Sequence, residues 1–125
     1  MTEKQQEIYD LFKDGIKKSI ASYPVLRGAI AIRTPYQGFA GDDLEIFVTQ
    51  EGKVTDGGAT LNLFESLRCY QDFLDWPFKA DFFRDYNMVI LDREIVCTDC
   101  SPGGLVRYAQ GMSRLQNMFE AHPIK

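Results

Sequence analysis

The sequence predicts a small α+β domain: a mostly antiparallel sheet with a helix at each end of the chain to cover it. Three observations predict it. Apolar residues keep helical spacing at both ends of the chain. Short strand-like runs fill the middle. Turn residues join neighbouring runs as hairpins.

Taken in order, Thr2 followed by Gln5 resembles a capping box, and Ile8, Leu11, Phe12, Ile16 and Ile20 follow helical spacing. The expected helix covers about residues 2–21 and stops before Tyr23-Pro24. Residues 29–34 (Ala-Ile-Ala-Ile-Arg-Thr) read as a strand stopped by Pro35, and 44–48 (Leu-Glu-Ile-Phe-Val) as a second. Gln50-Glu51-Gly52-Lys53 is a hairpin turn leading to a short third strand at Val54-Thr55. A helix is expected over about 60–70, with Leu61, Phe64 and Leu67 on one face, and a shorter one near 79–85. Met88 to Leu91 and Ile95 to Thr98 flank Asp92-Arg93-Glu94 as a β-hairpin. Ser101-Pro102 is a helix start, with Ser as cap and Pro in the first turn. Leu105, Tyr108, Ala109, Met112, Leu115 and Met118 continue that helix towards His122-Pro123. The predicted order is α-β-β-β-α-α-β-β-α.

The chain has 125 residues, 45% hydrophobic and 26% charged, which fits a single domain over 1–125 with ample core material. Fourteen Lys and Arg against eighteen Asp and Glu give a net charge of −4, which argues against binding nucleic acid through a broad basic face. No apolar run approaches the roughly 20 residues of a membrane span. No signal-peptide pattern opens the chain. The three cysteines fit a reducing compartment, and the expectation is a cytoplasmic protein.

Three strings carry a family resemblance: Arg33-Thr34-Pro35-Tyr36, then Gly41-Asp42-Asp43-Leu44-Glu45-Ile46-Phe47-Val48, then Val54-Thr55-Asp56-Gly57-Gly58-Ala59-Thr60-Leu61. The chain resembles the family numbered eighteen twenty-eight among the domains of unknown function, common in prophages and other bacterial mobile elements. That family usually shows two Asp before its Gly; this chain has Asp56-Gly57-Gly58. The resemblance implies a mobile-element origin and supplies no reaction.

Four constellations bear on chemistry. Asp43, Glu45 and Asp56 are strand-end carboxylates of a kind that binds Mg²⁺ or Mn²⁺ through oxygen. With Lys53 they would suit a divergent metal-dependent nuclease or phosphodiesterase of restriction-endonuclease-like topology, although Glu51-Gly52-Lys53 reads as a turn rather than a rigid strand. The more ordinary role of such residues is in turns and helix caps. Cys97-Thr98-Asp99-Cys100 is a lone C-x-x-C just before a helix start, where a thiol is acidified. Buried free cysteines more often act as small hydrophobes, and zinc would need two further ligands. His122, the only histidine, has no Ser or Cys partner at a triad spacing.

The fourth constellation is the most unusual. Residues 70–86 interleave Phe73, Trp76, Phe78, Phe82, Phe83 and Tyr86 with Asp72, Asp75, Asp81 and Asp85. One short broken helix cannot bury so many rings. Trp76, Phe78, Phe82 and Phe83 are the expected anchors for a partner protein, with Asp75, Asp81 and Asp85 steering towards a basic surface. Filling the core is the competing use. The leading expectation is a small acidic phage or mobile-element protein, without cofactor, that binds and inhibits a host protein. Its target would be a component of a bacterial defence system such as a nucleic-acid-binding enzyme. Open sheet edges would also suit a homodimer.

Overall fold

The computed structural model describes residues 1–16 and 20–119. Helix α1 (Glu3–Ile16) opens with the capping box that Thr2 and Gln5 predict. The Thr2 N–H donates to Gln5 Oε1 at 2.9 Å, and the Gln5 N–H donates to Thr2 Oγ1 at 3.2 Å. Gln5 is also buried, and its amide donates to the Gly28 and Val48 carbonyls at 2.7 and 3.1 Å. A single side chain thus starts the helix and ties it to the sheet. The expected extension of this helix to 21 crosses residues 17–19, which lie outside the described residues.

Six strands follow: β1 (Ala21–Pro24), β2 (Ile30–Gln37), β3 (Asp43–Val48), β4 (Val54–Thr55), β5 (Met88–Leu91) and β6 (Glu94–Cys97). They form one sheet in the order β1-β2-β3-β4-β6-β5, every neighbouring pair antiparallel. Strand β1 was not expected from the sequence. It is an edge strand ending in proline, where a missing N–H costs the ladder least. Nor does Pro35 stop β2. The register shifts between Arg33 and Gln37, so the proline sits in a bulge. Thr34 Oγ1 there donates to the Leu44 carbonyl at 2.9 Å and accepts the Tyr36 N–H at 3.3 Å. The side chain takes over bonds that the proline-containing ladder cannot make.

Between β4 and β5 lie three short helices, α2 (Ala59–Ser66), α3 (Tyr70–Leu74) and α4 (Lys79–Asp85), and the described chain closes with α5 (Pro102–Gln116). The helix expected over 60–70 breaks at Arg68, whose φ is +60°. The β5–β6 hairpin turns through Asp92 and Arg93, both at positive φ as a two-residue primed turn requires.

Alternation along the strands separates the two faces of the sheet. Ile30, Ile32, Leu44, Ile46, Val48, Val54, Ile95 and Cys97 share one core with Ile8 and Phe12 of α1, Leu61 and Phe64 of α2, and Leu105, Tyr108, Met112 and Leu115 of α5. Arg33, Glu45, Phe47, Thr55 and Val96 belong to the other face and contribute nothing to that core. The fold is therefore α+β in two layers, helices over one face of an antiparallel sheet. No helix among the described residues is long and apolar enough to cross a membrane.

Candidate functional site

The carboxylates do not converge. Asp56 follows β4 directly and is 2% exposed. Its Oδ1 accepts the N–H groups of Gly58 and Ile95, both at 2.9 Å, and its Oδ2 accepts the Thr60 N–H at 3.0 Å. It joins the first turn of α2 to strand β6 and has no open side for a metal ion. Asp43 and Glu45 lie on one face of β3, as the period of two requires, but that is the open face, with Glu45 opposite Arg33. Lys53 pairs with Glu94 at 3.7 Å, while the Thr55 hydroxyl donates to the same carboxylate at 2.6 Å. Glu51-Gly52-Lys53 is a turn, with Gly52 at φ +91°. Among the described residues, no three His, Cys, Asp or Glu side chains are grouped to hold a metal. Of Asp43, Glu45, Asp56 and Lys53, three lie towards the open face and Asp56 is engaged by backbone, so the structure does not bring the four together.

The aromatic segment divides by depth. Phe73 is fully buried between Phe64 and Phe83, with ring centroids 5.2 and 5.9 Å away. Phe83 is itself buried, which removes it from the expected anchors. Trp76 and Phe82 are half-buried and lie 5.3 Å apart. Trp76 also meets Phe119 edge-on at 5.5 Å, and Phe82 meets Tyr86 at 4.5 Å. Only Phe78 stands clear, 63% exposed in the turn between α3 and α4, with Leu74 half-open four residues earlier at the end of α3. Asp75, just past α3, and Asp81 and Asp85 on α4 are exposed. Asp75 accepts from Gln71 at 3.0 Å, and Arg84 bridges Asp81 and Asp85 at 3.2 and 3.6 Å. The outcome is an apolar tip on an aromatic base, edged by carboxylates.

The C-x-x-C pair also divides by depth. Cys97, the last residue of β6, is buried in the core, and its thiol donates to the Asp99 carbonyl at 3.2 Å. Cys100 is half-buried and stands just before Ser101, the cap of α5. The Ser101 hydroxyl accepts the Gly104 N–H at 3.1 Å. Gly104 lies so close to Asp99 that a Cβ would have no room. The neighbouring Cys97 thiol, able to donate to an ionised Cys100, lowers the Cys100 thiol from 9.0 to about 7, against burial and the Asp99 charge. The same interaction, followed by burial, drives Cys97 far upward. The pair has one accessible, acidic thiol and one buried, protonated thiol. His122 lies outside the described residues.

One feature had no signal in the sequence pattern. Arg107 and Arg114 of α5 flank the Tyr86 ring, 4.7 and 5.7 Å from its centroid, and Arg114 donates to the Tyr86 hydroxyl at 2.6 Å. Their seven-residue spacing marks one helix face, but nothing local to α5 announces that Tyr86 meets it. Compared with protein-family models, curated proteins and solved structures, the chain matches none.

Proposed function

We propose that this protein acts by binding another protein through the corner between α3 and α4. The observation that carries the reading is Phe78, a large aromatic side chain held in solvent at 63% exposure beside three exposed carboxylates. Aromatic groups on a rigid support lose little entropy on binding and dominate interface energies. Phe78 and Leu74 would be the buried centre of the contact, and the accessible edges of Trp76 and Phe82 its floor. Asp75, Asp81 and Asp85 would form an acidic rim that favours a basic partner. A nucleic-acid-binding host enzyme has such a surface, and masking it would be inhibition.

The test is capture of a partner from bacterial lysate by the tagged protein, compared with the Phe78→Ala/Leu74→Ala variant. Both side chains are already open to solvent, so thermal stability should change by about 0.5 kcal/mol or less per site. The wild type should retain one stoichiometric protein that the variant loses. Equal capture by the two would overturn the assignment of this corner. Reversing Asp81 and Asp85 to Lys should slow association and remove its salt dependence.

A further inference from the structure

We propose that Cys97 and Cys100 form a thiol–disulfide exchange site, with Cys100 as the attacking thiol and Cys97 as the resolving thiol, acting on a low-molecular-weight disulfide. Three positions in the fold lead there. The thiols are three residues apart across the bend between β6 and α5. Strand alternation puts Cys97 on the core face with Ile95, at 7% exposure, where no outside reagent reaches it. Cys100 lies past the end of the strand, half-open and next to the amino end of a 15-residue helix. Depth alone therefore fixes which sulfur attacks first. Once Cys100 is ionised, the Cys97 S–H can turn from the Asp99 carbonyl to donate to the thiolate and so lowers the Cys100 thiol.

The exchange balances in two steps. The Cys100 thiolate attacks one sulfur of R–S–S–R; that S–S bond breaks, one RS⁻ leaves, and a mixed disulfide remains on Cys100. Cys97 then loses its proton as its sulfur attacks Cys100 Sγ, forming the intramolecular disulfide and expelling the second RS⁻. The two protons of the original dithiol end on the two released thiols, and two electrons pass from the protein to the external disulfide. Asp99 is not the base in this sequence. Its carboxylate is held below its ordinary range by hydrogen bonds from Ser101 and stays ionised. Cys69, fully buried and shifted upward by its burial and then by the Asp72 charge, is an internal control.

The full chain incubated with oxidised glutathione and mapped by peptide mass spectrometry tests the proposal. The wild type should lose two hydrogens between Cys97 and Cys100 and carry no lasting glutathione. Cys97→Ala should stop at a glutathione adduct on Cys100, and Cys100→Ala should block both products. Iodoacetamide at pH 7 should modify Cys100 about fivefold faster than an ordinary cysteine, the thiolate gain being partly offset by lower nucleophilicity. The alkylation midpoint should rise in Cys97→Ala, a readout that packing alone would not move. A wild type that keeps glutathione on Cys100 would overturn the resolving role. An alkylation midpoint unchanged by Cys97→Ala would overturn the thiol partnership.

Discussion

The chain passes from strand to helix at two comparable junctions, β4 into α2 and β6 into α5, and uses opposite chemistry at each. At the first, Asp56 is buried and each of its oxygens accepts backbone N–H groups. At the second, an uncharged Ser101 hydroxyl caps the helix, and the ionisable group beside it, Cys100, stays half-open. The two are joined through Ile95, whose N–H donates to Asp56 and whose carbonyl accepts the Tyr108 hydroxyl at 2.6 Å. A charged residue saturated by backbone contributes stability and has little left for chemistry. A cap that needs only a hydroxyl leaves the neighbouring position free to be reactive.

Removing Asp56 should break this contrast most severely. Asp56→Ala leaves the N–H groups of Gly58, Thr60 and Ile95 without their acceptor, at a cost of about 3–5 kcal/mol. Since domains of this size are stable by about 5–15 kcal/mol, the urea midpoint should fall by a large fraction. Asp56→Asn should lose less, because one oxygen still accepts two of the three bonds. Equal midpoints for wild type and Asp56→Ala would mean that the carboxylate does not hold the junction.

Tyr108 comes next. Its hydroxyl is buried, and burial, followed by the Asp56 charge, holds the phenol neutral well above its ordinary 10.0. Tyr108→Phe removes the donor to the Ile95 carbonyl and should cost about 1–3 kcal/mol at pH 7. The pH dependence has a definite sign. A raised folded-state pKa contributes stability that is complete below pH 10 and is lost above it, as the unfolded phenol ionises and the folded one does not. The gap between wild type and Tyr108→Phe in urea unfolding should therefore narrow above pH 10. A constant gap would show that the folded phenol ionises normally.

The two junctions also differ in how far the sequence discloses them. Ser101-Pro102 and Thr2 with Gln5 are local signals, each satisfied within four residues, and both caps form as their spacing predicts. The α+β class and the Asp92-Arg93 hairpin are legible for the same reason. The turn-and-cap role expected of Asp56 is local, its oxygens accepting the Gly58 and Thr60 N–H groups, but its third partner, the Ile95 N–H, lies 39 positions away and leaves no local signal. Strand β1 carries neither alternation nor a β-branched run in Ala21-Ser22-Tyr23-Pro24, so only its pairing with β2 reveals it. In the aromatic segment, ring count was legible but depth was not. Phe73 packs against Phe64 from the preceding helix and against Phe119 from 46 positions further on, contacts that set its depth and that ring count does not disclose. The C-x-x-C motif did hold a usable signal. Ile95 and Cys97 share a parity on β6, which already separates an inward Cys97 from Cys100.

The smallest effect bears most directly on what acidifies Cys100. Two sources are available, the Cys97 thiol and the amino end of α5, and Ser101→Ala separates them. Losing the Ser101 hydroxyl frees the Gly104 N–H and should cost about 1 kcal/mol, read as a modest fall in the urea midpoint. It leaves Cys97 in place. If the thiol partner is the main cause, the alkylation midpoint of Cys100 should stay near pH 7. If the helix end is the main cause, the uncapped and frayed first turn would let that midpoint rise. Stability and reactivity should thus respond separately at this junction, whereas at Asp56 the only response available is stability.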